Sequence, residues 1–364
     1  MRAAAAGGID WDRFDRVVAH HRVAALAADG LRRAGVGVPA ATAGAALAAA
    51  RGALMMARET LRLQREFDAA GVAAIFVKGS ALAMLAYGEL GVKQSWDIDL
   101  LTTPADALAG RQLLERLGYR LIQPELDERQ FVRFTEYDRE CIFFNGAAGI
   151  AVELHWRLVG NPRLLAGVGP GSPVQQVALG GGAVRTLADA PLFAFLCAHG
   201  TGHGWARLKW LADAAAFLSR RDEAEVERLH RAALELGAGR TSAATLLLCH
   251  RLLGLPLGPD LLRALRQDAV AETLARTAIH CIAHGGGTED FGFYSLAGLR
   301  LTLSQFLLVP GGRYAWSALG QLWVSGADRA RIRLPRSLDF LYHILRLPLL
   351  SARLGRRLFG RLDG

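Results

Sequence analysis

The sequence predicts an α+β fold: a small mixed β-sheet, with a helical segment before it and an all-helical domain after it. Three observations carry this. Ala-rich stretches with helical periodicity fill residues 1–70. Short apolar and alternating runs, punctuated by Gly, Pro and Asn-Gly, cluster at 71–160. Beyond a Pro- and Gly-dense stretch at 161–185, expected as a linker or flexible loop, residues 186–364 read as helices. A chain of 364 residues is long for one ordinary domain, and its 52% hydrophobic and 21% charged residues suit a folded globular protein.

In the N-terminal segment, periodic stretches run from Arg13 to Leu31 and from Ala40 to Ala70, with Pro39 marking a break. The adjacent pair His20-His21 lies on a polar stripe beside Arg22 and reads as surface. No leader is visible, because Asp10 and Asp12 interrupt the start before any apolar core region. No uncharged apolar run reaches the length of a spanning helix.

The chain is organised around Ile75–Leu101. An apolar run ending at Val77 predicts a buried strand, Lys78-Gly79-Ser80 a turn, and Ala81–Tyr87 a helix. Trp96–Leu101 then predicts a second strand, on which Asp97 and Asp99 share one face while Ile98 and Leu100 enter the core. Two neighbouring carboxylates repel unless a cation lies between them, and Mg²⁺ takes hard oxygen ligands that it shares with phosphates. The Gly79-Ser80 turn at a helix start favours a phosphate anion on exposed N–H groups, with Gly79 allowing close approach. A hairpin bearing two solvated aspartates is the simpler alternative.

After Leu101 a helix is expected over Ala105–Leu117 and a strand over Tyr119–Ile122. Val132-Arg133-Phe134 and Arg139–Phe144 both alternate, and Asn145-Gly146 signals a hairpin into Ala151–Trp156. There Glu153 and His155 share a face, so Glu153 offers a third carboxylate beside the Asp-x-Asp strand. That is the donor set of two-metal phosphoryl chemistry, in which the third carboxylate can also act as base. An edge-strand glutamate is the alternative.

Strand, Lys-Gly-Ser, helix and Asp-x-Asp together resemble the signature of the nucleotidyltransferase superfamily. More narrowly, Lys78-Gly79, Tyr87 and Asp97–Leu101 are similar to a family of uncharacterised bacterial nucleotidyltransferases. Sixteen residues separate Ser80 from Asp97, a spacing that suits this family, and Lys93 stands where it usually has Arg, keeping the charge but not the bidentate fork. The resemblance extends to Glu153-x-His155-Trp156, to His199, His203, Lys209-Trp210 and Asp213, and to Leu334-Pro335 and the Leu341–Arg346 stretch.

It implies a nucleotidyltransferase core that moves a nucleoside monophosphate, AMP first among candidates, from an NTP to a hydroxyl or similar acceptor. Pyrophosphate would leave, and two Mg²⁺ would sit at Asp97, Asp99 and Glu153. Nucleotide contacts would come from Lys78, Gly79, Ser80, Lys93, His155, His199, His203, Lys209 and Asp213; for the last four, capping and linking helices is the alternative. A tailoring enzyme of a peptide natural-product pathway and a nucleotide-binding protein without transfer activity are the other readings. The acceptor is an unidentified small molecule or peptide.

His199 and His203 stand four apart, but Gly200, Gly202 and Gly204 argue against a continuous helix there. The four cysteines (Cys141, Cys197, Cys249, Cys281) lack metal-ligand spacing and read as reduced core residues of a cytoplasmic protein. Gly285-Gly286-Gly287 reads as a flexible loop, and Trp316 and Trp323 as core or groove aromatics. Of the net charge of +9, nine arginines against Asp339 place +8 between Arg329 and Arg361. An apolar set at helical spacing runs through this stretch, so a docked terminal helix is expected and no nucleic-acid partner.

Overall fold

The computed structural model describes residues 8–284, 296–323, 338 and 341–342. Three helices come first: α1 (Trp11–His21), α2 (Ala24–Arg33) and the long α3 (Ala40–Ala69). Arg22 adopts a left-handed conformation at φ 56°, which splits the predicted Arg13–Leu31 stretch into α1 and α2. Pro39 stands at the start of α3, where its missing N–H costs nothing.

Strand β1 (Ile75–Phe76) leads into α4 (Gly79–Tyr87) and then β2 (Asp97–Leu101). Helix α5 (Ala107–Arg116), β3 (Arg120–Gln123), α6 (Glu128–Tyr137), β4 (Glu140–Asn145) and β5 (Ile150–His155) follow. The five strands form one mixed sheet in the order β1-β2-β5-β4-β3, and β2–β5 is its parallel pair. Phe76, Ile98, Leu100, Phe143, Val152 and Leu154 bury one face against Leu63 and Phe67 of α3, Leu113 and Leu114 of α5, and Phe131 and Phe134 of α6. Each fully buried side chain of that size stabilises the layer by about 1.5–3 kcal/mol.

The alternating Val132-Arg133-Phe134 is part of α6, not a strand. Asp127 and Gln130 form a capping box at its start, and Phe131 and Phe134, three apart, both meet Trp156 edge-on at 5.7 and 6.0 Å. The 161–185 stretch, expected as a linker or loop, carries a hairpin of β6 (Val174–Leu179) and β7 (Gly182–Leu187). Gly180 and Gly181 turn it at positive φ, and Gln64 of α3 accepts a hydrogen bond from the Arg185 N–H at 2.8 Å.

Helices α7 (Asp189–Gly202), α8 (Leu208–Ser219), α9 (Glu223–Glu235), α10 (Gly239–Leu253), α11 (Pro259–Gln267) and α12 (Ala269–His284) complete the helical part, with α13 (Leu296–Ser304) and α14 (Gly312–Trp323) beyond. Helix α7 runs through Gly200 but stops at Gly202, with His203 as its cap and Gly204 at φ 61°, so no continuous helix spans the three glycines, and Gly200 is where the Trp205 indole packs closely. Trp205 itself sits at φ 50° and is buried.

Other expectations change too. His21 is 6% exposed rather than on the surface, because it packs against the start of α8. Trp316 is 74% exposed, neither core nor groove. Helix α3 holds an 18-residue stretch of mean hydropathy 1.3, long and apolar enough to cross a membrane by length and composition, although a third of it is buried here. All four cysteines are free and buried, as predicted. Gly285–Gly287, the side chain of Trp323 and nearly all of the basic Arg329–Arg361 stretch lie outside the described residues.

Candidate active site

The opposite face of β2, β5 and β4 carries charge. Side chains alternate along a strand, so Asp97 and Asp99, Glu153 and His155, and Glu140 and Ile142 share this face. Register then assembles them: Asp99 lies opposite Glu153 on the parallel neighbour, and Glu140 opposite His155 on the antiparallel one. Glu153 therefore sits on a central strand, not an edge.

This face lines a cavity of about 330 Å³ bounded also by the start of α4, by α7 and α8, and by Arg22 after α1. Ten residues singled out in the sequence line it: Lys78, Gly79, Lys93, Asp97, Asp99, Glu153, His199, His203, Lys209 and Asp213. Ser80 and His155 do not. Ser80 is buried in the first turn of α4, and His155 lies beneath the carboxylates at 4% exposure.

A protein cation already stands among the carboxylates. Lys78 Nζ is 2.7 Å from Asp99 Oδ1. His155 Nε2 is 3.3 Å from the same oxygen and 3.4 Å from Glu153 Oε2, and its Nδ1 is 2.9 Å from Glu140 Oε2. These imidazole approaches are close but lack hydrogen-bond geometry. Asp99 Oδ1, Glu140 Oε2 and both His155 nitrogens are thus buried polar atoms without a hydrogen-bond partner.

The charges divide the titrations. Burial raises Asp97, and the neighbouring Asp99 raises it further, against the pull of Lys78. Burial pushes Asp99 the same way, but Lys78 and His155 outweigh it and hold this carboxyl well below the usual range. For Glu140 the opposition of burial is overcome by His155 and Arg139, and its pKa falls to about 2. Burial would lower His155, yet contacts with Asp99, Glu140 and Glu153 hold it well above the ordinary imidazole value.

The facing wall is built by α8 docking on two other elements. Asp213 of α8 accepts hydrogen bonds from Tyr87 Oη at 2.9 Å and Lys93 Nζ at 2.7 Å, which ties α8 to the end of α4 and the turn after it. The backbone N–H of Leu208 donates to His21 Nδ1 at 3.3 Å, and Arg207 meets the His20 ring nitrogen at 3.0 Å. Those contacts bring Arg22 and Arg207 to the cavity. His199 and His203 lie with ring centres 4.6 Å apart, and Trp210 is 5.6 and 5.2 Å from them. Burial pushes His199 well below its ordinary pKa and His203 down to about 4, so both rings are neutral. Burial, reinforced by Lys93, lowers Lys209 to about 8.

Sequence reasoning missed Arg22, Arg139, Glu140, Arg207 and Trp210 as cavity residues. Glu140 had a signal: counting back along the hairpin from the Asn145–Ile150 pair places it opposite His155. The arginines had none, because only tertiary docking brings them in.

Asp99, Glu153 and His155 offer ligand atoms within 4.8 Å of one another. They fit a divalent cation, with Asp97 lining the same cavity, and the buried His155 Nε2, which makes no hydrogen bond between Asp99 and Glu153, is the observation that supports the fit. Bound there, such an ion supplies charge neutralisation for phosphates and activation of an attacking oxygen. No curated protein matches the chain. Residues 7–254, which hold the sheet and every residue lining the cavity, match the family model described as "Uncharacterised nucleotidyltransferase", and the chain belongs to this family of enzymes.

Proposed function

We propose that the enzyme transfers AMP from ATP to a hydroxyl or similar acceptor with release of pyrophosphate, in a reaction dependent on divalent metal. The observation that carries this reading is the direct pairing of Asp99 with Glu153 across β2 and β5, on the face where Asp97 also stands. Asp97, Asp99, Glu153 and Glu140 line that face, across the cavity from two helices that supply cations and flat rings.

The residues divide the work by position. The triphosphate lies at the start of α4, where Gly79 presents backbone N–H at φ +57° with open space where a side chain would be. Ser80 contributes through its backbone, being buried. Lys78 and Lys209 offset phosphate charge from either side. The neutral rings of His199, His203 and Trp210 stack on the base. Asp97, Asp99 and Glu153 hold the ions, Mg²⁺ being the common physiological choice for a phosphate-bearing site. The acceptor oxygen attacks the α-phosphorus, the bond to the bridging oxygen breaks, and Glu153 takes the acceptor proton. Lys93 and Asp213 act at one remove, by fixing the wall that carries Lys209 and Trp210.

Calorimetric titration with ATP in the presence and absence of Mg²⁺ tests the reading, followed by pyrophosphate release with candidate acceptors. Binding that requires the ion and disappears in Asp97→Asn and Asp99→Asn, both still folded, is the expected result. ATP binding indifferent to the ion and to both substitutions would refute it.

A further inference from the structure

We propose that His155 is itself a ligand of the divalent ion through Nε2, and that the site selects a first-row transition ion over Mg²⁺. This rests on the metal-dependent reading above and revises its choice of Mg²⁺ as the ion.

Bonds of about 2.1 Å set neighbouring ligand atoms about 3 Å apart around an ion. The His155 Nε2 distances of 3.3 Å to Asp99 Oδ1 and 3.4 Å to Glu153 Oε2 are close to that edge length. The same two approaches lack hydrogen-bond geometry, which leaves Nε2 a buried ring nitrogen without a hydrogen bond on a side chain 4% exposed. A purely structural histidine at this depth would donate to something. Behind it, Glu140 Oε2 stands 2.9 Å from Nδ1. A carboxylate on one ring nitrogen with the other facing the ion is the support that metal-ligating histidines have, fixing tautomer and ring plane. Strand register enforces the arrangement, since Glu140, His155, Glu153 and Asp99 are set by two adjacent ladders.

The donor set decides the ion. Mg²⁺ takes oxygen almost exclusively and keeps its waters, whereas imidazole among carboxylates suits a borderline transition ion. Lys78, 2.7 Å from Asp99 Oδ1, holds the oxygen that an ion would take.

The test uses the full chain and Mn²⁺, with and without ATP. Pulsed electron paramagnetic resonance should show ¹⁴N coupling from a coordinated imidazole, and competition should show Mn²⁺ bound more tightly than Mg²⁺ in the parent. His155→Gln should lose the coupling and the preference. Glu140→Gln, which leaves the ligand in place, should keep the coupling while weakening Mn²⁺ about 10–100-fold. Coupling that survives His155→Gln, or equal affinities for the two ions in the parent, would overturn the proposal. ATP-dependent Mn²⁺ binding without nitrogen coupling would remove His155 as a ligand and leave the nucleotidyl-transfer reading standing. No ion bound with or without ATP would remove both.

Discussion

Lys93 and Asp213 lie 120 positions apart, and their side chains meet at 2.7 Å in a buried ion pair. Tyr87 completes the contact from the end of α4. Neither charged side chain is more than 7% exposed, so removing one partner strands the other in a medium that solvates it poorly. Lys93→Met or Asp213→Leu should therefore destabilise the fold by about 3–5 kcal/mol. The double substitution Lys93→Met/Asp213→Leu should recover most of that. Urea denaturation of the four proteins gives the coupling directly, and additive losses would show that the pair does not act as a unit.

Lys78 is the cation of the ion-free site. Its ammonium faces Asp99, with Asp97 and Glu153 beyond, and these three keep its pKa raised although burial lowers it. Lys78→Met should lower the melting temperature of the ion-free protein, and millimolar divalent cation should restore it by occupying the carboxylates. The same variant should bind ATP more weakly. A melting temperature that falls and does not respond to cation would mean that Lys78 matters only for packing.

Lys209 sets a pH dependence. Its folded pKa of about 8 is below the unfolded lysine value, so the folded chain binds fewer protons than the unfolded one between about 8 and 10.5. Stability contributed by this group thus rises with pH through that window; below it, the buried charge costs stability. Phosphate attraction runs the other way, since the charge is present below pH 8 and lost above it. ATP affinity should fall between pH 7 and 9 in the parent and stay flatter in Lys209→Met. Parallel profiles would release Lys209 from the phosphates.

Two glycines make opposite predictions. Gly79 has φ +57° and open space at the cavity floor, so Gly79→Val should cost about 1 kcal/mol of backbone strain and block phosphates from the helix start. ATP affinity should drop sharply while the fold survives. At Gly200 a Cβ would overlap the buried Trp205 ring, so Gly200→Ala should cost about 1–3 kcal/mol of stability. Thermal melts with ATP titrations separate the two effects.

Much of this was legible before folding. Period-2 alternation put Asp97 with Asp99 and Glu153 with His155, and the Asn145-Gly146 turn marked the β4–β5 hairpin. That β2 and β5 would pair in parallel, bringing Asp99 opposite Glu153, was not written in either strand. Three residues, Val132–Phe134, are too few to separate a period of 2 from 3.6, and the Asp127 cap decided for helix. The hairpin at 174–187 was hidden because its strands border on the Gly-rich turn and show mixed exposure. His21 looked like surface because its partner Leu208, at the start of α8, is remote in the chain.

The parallel ladder between β2 and β5 has a consequence for how the protein comes into being. Adjacent antiparallel strands can zip from a tight turn, but a parallel pair waits for its crossover, here everything from α5 to β4. Until that excursion has closed, Asp97 and Asp99 are ordinary carboxylates on an unpaired strand, and Glu153 is far away. Newly made or refolding chains therefore do not yet bring Asp99 and Glu153 onto one face. Assembly of this acidic cluster is a late event that reports completion of the fold.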